Sequence, residues 1–547
     1  MAVSLALVNA NVLTMQRGCP RAEAVAVAGD RIMAVGSNSD IRRLSSVHTR
    51  IVDCHGLTLL PGFNDAHCHL PGLARRLQDL DCGPHRAPSI PALLALVRER
   101  AALRQAQDER QAQDERHVQG EQQAQDEQRP PGNHPELVEG WVRGHGYDDL
   151  GMKEGRHPTR RELDAASPDR PVWLEHRSGH AAVLNSAALA AAGIHRETPD
   201  PPGGVIQRDE ATGEPTGVLF EMRSFLRQRL GNLRSPREFE EGMRAAGQLL
   251  ASYGITSAQD AGADNGLDRW QILRQLQEGG TLPCRITMFA GAERLEELTA
   301  AGLSFGAGGH RLRVGHAKIV LTMTAGRLHP SAPELAALVA GSHHLGFPVA
   351  IHCIEEEAIT AATEALAANR HPALIDRLEH CAEGTPHLVD AVRMCGAAAV
   401  TNPGFLYHNG TAYRDNVEAR LLPHLYPAGA LCRAGVTVAF GSDAPVIDPN
   451  PWRGIYSAVT RRDSAGDLVG CEGVESQAVT VEEALRMYTI AAAQVEGTAA
   501  AKGSITPGKL ADMVLVDTDP LAAEPEELAG VETVMTVVGG RVVWSKT

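Results

Sequence analysis

A regular alternation beginning near residue 250 limits the folds open to this chain more than any other feature. Short, strongly apolar runs at 255–260, 285–289, 313–321, 348–353, 373–380, 397–401 and 437–442 are separated by stretches with helical patterning. One more run, at 57–60, precedes the motif Pro61-Gly-Phe-Asn-Asp-Ala-His-Cys-His-Leu70 and brings the strand-like runs to eight. Continuous apolar runs, each followed by a helix, are the mark of βαβ units around a parallel sheet, and eight such units close into a (β/α)8 TIM barrel. The expected class is α/β, with chemistry at the carboxyl ends of the strands.

The two ends of the chain read differently. Residues 3–53 hold short β-like runs broken by Gly-Asp and Gly-Ser turns, and 503–517, 531–537 and 541–544 have the same character. Half-sheets from opposite ends can pair into one small β-sandwich. The expected division is therefore 1–57 with 500–547 as the sandwich, 58–75 with 225–499 as the barrel, and 76–224 as an insertion domain after the first strand. Inside the insertion, QAQDER at 105–110 recurs at 111–116 and nearly again at 123–128. The span 104–135 reads as a polar, low-complexity insert, either a solvated helix or disordered.

A formal net charge of -15 argues against nucleic acid or an anionic membrane as partner, because either needs a basic patch. A small-molecule substrate fits better. The first residues lack the basic segment of a signal peptide, and no apolar run approaches the roughly 20 residues of a membrane span, so a cytoplasmic location is expected. Ten cysteines without a Cys-X-X-Cys pair point to reduced thiols rather than a disulfide framework. Assembly into a homo-oligomer is left open.

Polar residues gather where a barrel puts its chemistry. His67 and His69 follow the first run, Lys318 lies in the fourth, His352 ends the fifth, His380 ends the sixth, and Asp443 follows Gly441-Ser442 at the end of the eighth. Each alone has an ordinary structural explanation; together, on one rim, they read as a metal site. Cys68, Cys353 and Cys381 each adjoin one of these histidines, and strand alternation turns them away from the barrel mouth as small packing residues.

These residues resemble the amidohydrolase superfamily. The match comprises Pro-Gly-Phe-X-Asp-X-His-X-His on strand one, the strand-four lysine, single histidines on strands five and six, and Gly-Ser-Asp-Ala-Pro at strand eight. Trp141-Val-Arg-Gly-His-Gly-Tyr-Asp148, Gly179-His180 with Asn185-Ser-Ala-Ala-Leu, and 503–517 are similar to the amidohydrolase 3 branch, which includes N-substituted formamide deformylase. The resemblance implies that His67, His69 and Asp443 bind one divalent ion and His352 and His380 a second. Lys318 would bridge both ions as a carbamate formed with carbon dioxide. Two zinc ions suit this set, although manganese, iron and cobalt are compatible with it. It further implies hydrolysis of a C–N amide-type bond in an N-formyl or N-acyl amine by a metal-bound hydroxide, with Asp443 as general base and proton carrier. Tyr147, His180 and His408 are the candidates for contacting substrate.

Two departures bear on substrate. The chain has His352-Cys-Ile-Glu355-Glu356-Glu357 where the branch typically has Gly-Asp after the histidine, and it lacks the Asp-Gly that usually follows the strand-four lysine. The first creates His-X-X-Glu, the pattern of mononuclear deaminases of the same superfamily, with Glu355 as a proton shuttle. That is the alternative reading; hydrolysis of a cyclic amide or lactone, or a non-catalytic scaffold, are more remote.

Overall fold

The computed structural model describes residues 2–16, 18–119, 140–201, 203–231, 234–324, 326–470 and 477–546. They fall into two units, Met1–Leu73 with Met243–Thr547, and Ala74–Gly242. In the first, eight parallel strands follow one another around a barrel: β1 (Phe63–Cys68), β2 (Ile255–Asp260), β3 (Arg285–Gly291), β4 (Leu312–Val320), β5 (Val349–Cys353), β6 (Arg377–His380), β7 (Ala398–Thr401) and β8 (Val438–Phe440). Every residue of β1, β2, β3, β6, β7 and β8 is buried. Continuous burial explains why these strands read as apolar runs without alternation.

Pairing is continuous from β1 to β8. The remaining seam, between β8 and β1, is closed just beyond β8 by two backbone hydrogen bonds, Asp443 N–H to the His67 carbonyl at 2.7 Å and His69 N–H to the Ala444 carbonyl at 2.7 Å. Ser442 reinforces it, donating from its backbone N–H (2.9 Å) and hydroxyl (2.6 Å) to the two carboxylate oxygens of Asp65. A Cβ at Gly441 would lie 2.6 Å from the His67 nitrogen, so only glycine lets the strands approach this closely.

The run at 57–60 belongs elsewhere than expected. Thr58–Pro61 is a strand of the terminal sandwich, antiparallel to Met513–Val516 and parallel to Asn11–Leu13, and the first barrel strand is Phe63–Cys68. Two buried strands joined by Gly62 alone leave no polar break between them, so they read as one run and its motif. The sixth strand is also shorter than the run at 373–380, since pairing begins at Arg377.

Around Thr58–Pro61 a six-stranded sheet forms in the order Arg541–Ser545, Thr533–Val538, Met513–Val516, Thr58–Pro61, Asn11–Leu13, Arg21–Ala22. A four-stranded sheet runs Arg31–Gly36, Ala24–Ala28, Leu5–Val8, Arg50–Asp53. Leu5, Leu7, Val25, Val27, Leu59, Met513, Leu515 and Val537 share a single core cluster that spans both sheets. At the start of β3, Arg285 donates to both oxygens of Asp512 at 2.6 and 2.9 Å, tying the barrel to the sandwich.

The second unit is a mixed six-stranded sheet in the order Val205–Arg208, Pro215–Phe220, Ala181–Leu184, Val172–His176, Val142–Tyr147, Leu80–Asp81. Of the two readings of the repeat segment, residues 104–119 take the helical one, extending a helix that runs Ile90–Gln119. Alanine, glutamine, glutamate and arginine all favour that state. Residues 120–135 of the expected insert, including the third copy, lie outside the described residues. Among the described residues no helix is long and apolar enough to cross a membrane.

Arg285 and Asp512 expose only 5% and 4% of their side chains, so Asp512→Ala strands a buried guanidinium. The expected loss is about 3–5 kcal/mol, and Arg285→Met with Asp512→Leu recovers most of it. Thermal unfolding of the two variants beside the parent chain checks both statements.

Candidate metal centre

β1 carries His67 in its last turn of pleat, and His69 follows directly. Asp443 is brought opposite them by the seam, in the left-handed region at φ 58°. Its Oδ1 lies 3.0 Å from His69 Nε2 and 3.5 Å from His67 Nε2. Ligand atoms of these three residues all fall within 4.8 Å of one another. The remaining histidines continue the array: the His67 and His380 rings are 4.7 Å apart between centroids, and those of His380 and His352 are 4.6 Å apart. Lys318 lies within β4 with 3% exposure.

Hydrogen bonds on the far side of each ring fix its tautomer. His67 Nδ1 meets Glu379, an ionised acceptor, so Nδ1 bears the proton and the Nε2 lone pair faces Asp443. Asn402 donates through Nδ2 to the Gly441 carbonyl at 2.8 Å, which leaves its Oδ1 to accept from His380 Nδ1 at 2.8 Å. The Nε2 of His380 is thereby free as well.

The electrostatics agree. Burial, followed by the charge of Lys318, holds His67 well below the usual imidazole range. Burial and the charges of His380 and Lys318 push His352 down to about 3. Burial also lowers the Lys318 amine, against the pull of Glu379 and Asp443. For Asp443 burial acts upward, but His69, His380 and His67 together hold the carboxylate below its ordinary range. Neutral imidazoles, an ionised carboxylate and an amine pressed toward neutrality make a donor set for cations.

Three buried atoms of the set lack a hydrogen-bond partner: His67 Nε2, Lys318 Nζ and Asp443 Oδ1. A buried polar atom left unsatisfied costs roughly 1–3 kcal/mol, so their convergence fits a site built to hold ions.

Several supporting residues were not singled out from sequence. Glu379 and Arg377 are fully buried, with Arg377 donating to Glu379 (3.0 Å), to Gln259 Oε1 (2.6 Å) and to the Ala66 carbonyl (2.6 Å). An arginine and a glutamate two apart in an otherwise buried strand were the available signal. His380 at φ 71° breaks the alternation, which lets Glu379 and His380 both serve the centre. Asp65, pushed up to about 6 by burial, is the seam acceptor, and Asn64 is held by Glu496 at 2.7 Å.

Cys68, Cys353 and Cys381 are buried free thiols. The substrate candidates lie in different surroundings. His408 is exposed on the helix Gly404–Asn416, its ring 5.1 Å from that of Tyr407. Tyr147 is fully buried in the second unit with its hydroxyl 3.1 Å from His157 Nδ1, whereas His180 is exposed and pairs with Glu221 at 2.8 Å.

A sequence profile described as "Amidohydrolase family" matches residues 50–544. The chain belongs to the amidohydrolase family. As a member it is a metal-dependent hydrolase acting on carbon–nitrogen bonds. This amidohydrolase is 30% identical to the N-substituted formamide deformylase of Arthrobacter pascens, over 99% of its own length and 98% of that protein's. Its fold matches an uncharacterized metal-dependent hydrolase of Pyrococcus horikoshii at TM-score 0.75 and 21% identity, covering 95% and 99% of the two chains. An adenosine deaminase of Xanthomonas campestris with bound zinc matches at TM-score 0.53 and 16% identity, covering 99% and 93%.

Because Glu379 orients His67, replacing its carboxylate with an amide loosens the site without altering its shape. In the amidohydrolase, Glu379→Gln is expected to weaken metal retention by about 10–100-fold, read as metal content after dialysis against graded chelator.

Proposed function

We propose that this amidohydrolase is a binuclear enzyme that hydrolyses an N-formyl or other N-acyl amine to a carboxylic acid and a free amine. The observation carrying the proposal is that His67 Nε2 and Asp443 Oδ1, 3.5 Å apart, and Lys318 Nζ, whose charge acts on both residues, are all buried without a hydrogen-bond partner. His67, His69 and Asp443 would hold one ion and His352 and His380 the other, with zinc the best match to imidazole and carboxylate donors. Bound ions would supply Lewis acidity, which lowers the pKa of a coordinated water to about 7.

The chain's own residues do the rest. Lys318, driven toward the neutral amine by burial, would add carbon dioxide and release one proton, giving an anion to hold cations that a protonated ammonium would repel. Asp443 takes the proton of the attacking water and returns it to the departing nitrogen, which an amide requires because its anion is a very poor leaving group. Glu379 and Asn402 keep His67 and His380 in the ligating tautomer throughout.

Zinc-replete protein screened against N-formyl amines, N-acyl amines, cyclic imides, lactones and aminopurines tests the reading. Acid and primary amine should appear without ammonia, and Asp443→Asn should lower turnover on the order of 10²–10⁴-fold. Ammonia released from aminopurines alone would replace this reading with a deaminase that uses Glu355. Lys318→Ala should retain one ion in place of two; full activity in that variant with a single ion would end the binuclear assignment.

A further inference from the structure

The second unit has a cluster that the hydrolytic reading leaves unused. The strand Val142–Tyr147 leads into Asp148 and Asp149, and the neighbouring strand Val172–His176 ends on His176. His176 Nε2 lies 3.0 Å from Asp149 Oδ1 and 3.9 Å from Asp148 Oδ1. His157 Nε2 reaches Asp149 Oδ2 at 3.7 Å, with its ring 5.9 Å from that of His176. For a tetrahedral ion with legs near 2.1 Å, ligand atoms stand about 3.4 Å apart, between the two distances from His176 Nε2 to the aspartate oxygens.

Orientation matters more than distance here. His176 Nε2 is buried and makes no hydrogen bond, although a carboxylate oxygen is 3.0 Å away. One ligand atom from each of Asp148, Asp149 and His176 can be chosen so that all three lie within 4.8 Å of one another.

Asp148, His157 and His176 are also anchored on their outer sides. Arg177 donates to Asp148 Oδ2 at 2.8 Å, leaving Oδ1 inward. Tyr147 meets His157 Nδ1 at 3.1 Å. Ser178 donates its backbone N–H to His176 Nδ1 at 3.2 Å, and its hydroxyl lies 2.8 Å from the same nitrogen. Ligation through Nε2 moves the ring proton to Nδ1, which then donates to the Ser178 hydroxyl in place of accepting from the backbone N–H. Outer partners of this kind are what orient metal ligands.

We propose that Asp148, Asp149 and His176, with His157 beside Asp149, form a second, independent metal site for a first-row divalent ion, with zinc as its first occupant. An imidazole ligand selects against calcium and magnesium, which take oxygen donors. The two carboxylates, one of them shared with Arg177, balance most of the ion's charge. Bound there, the ion ties together the loops that follow the two strands.

The test uses the full-length protein and zinc alone. Crystals of the parent protein grown with zinc, measured at the zinc absorption edge, should show an anomalous peak about 2.0–2.2 Å from His176 Nε2. In solution, Asp149→Asn with His176→Gln should bind one zinc fewer per chain than the parent, while His67→Gln with Asp443→Asn loses only barrel ions. No anomalous peak in the second unit overturns the proposal, even if the solution variant proves unstable. Equal zinc content in the parent and the Asp149/His176 variant overturns it as well. Either result leaves the barrel centre untouched, because the two pairs of substitutions report on separate units.

Discussion

The hydrogen bond from Asp443 N–H to the His67 carbonyl closes the barrel, and the rest of the first unit depends on that closure. A sheet of eight strands with an open seam would expose two edges lined with unpaired backbone groups. Here the edges meet through Asp443, His69, Ser442 and Asp65, with Gly441 allowing the approach. The residues that close the fold are the ones that collect ligand atoms. A chain that failed to close its barrel would lose the Asp443 and His67 juxtaposition in the same event, which couples folding to metal affinity without any separate device.

Behind the seam the barrel interior holds a line of charge from Arg377 through Glu379 to His67. A buried ion pair contributes little net stability, since desolvation of both partners offsets their attraction. Its persistence in a fully buried strand is explained by the third member: Glu379 cannot orient His67 unless its charge is compensated, and Arg377, also braced by Gln259 and the Ala66 carbonyl, supplies that compensation. The left-handed conformations at His380 and Asp443, each about 1–2 kcal/mol for a non-glycine residue, are further strain concentrated at the centre.

Much of this was legible in the sequence, for a physical reason. A parallel barrel buries its strands on both faces, so histidines, a lysine and an aspartate at the ends of apolar runs stand out against their surroundings. The supporting residues did not. Arg377 and Glu379 two apart read like any exposed ion pair until burial is known, and Asn402 carries no pattern that separates a tautomer-fixing amide from a turn residue. The boundary at Gly62 was hidden because the sandwich strand and the barrel strand are equally apolar. In the second unit, Asp148, Asp149, His157 and His176 come from the ends of two strands and an intervening loop, where no periodicity connects them.

The one-residue handover at Gly62 has a consequence for how the protein is made. Thr58–Pro61 leads straight into the strand carrying His67, and its antiparallel partner is Met513–Val516, more than 450 residues later. At typical synthesis rates of 5–20 residues per second, roughly 20–90 s separate the emergence of these two strands from the ribosome. Throughout that interval Thr58–Pro61, the strand leading into His67, has only Asn11–Leu13 beside it in the sandwich sheet. The strand that leads into the centre is therefore flanked on both sides only after residues 513–516 have been made.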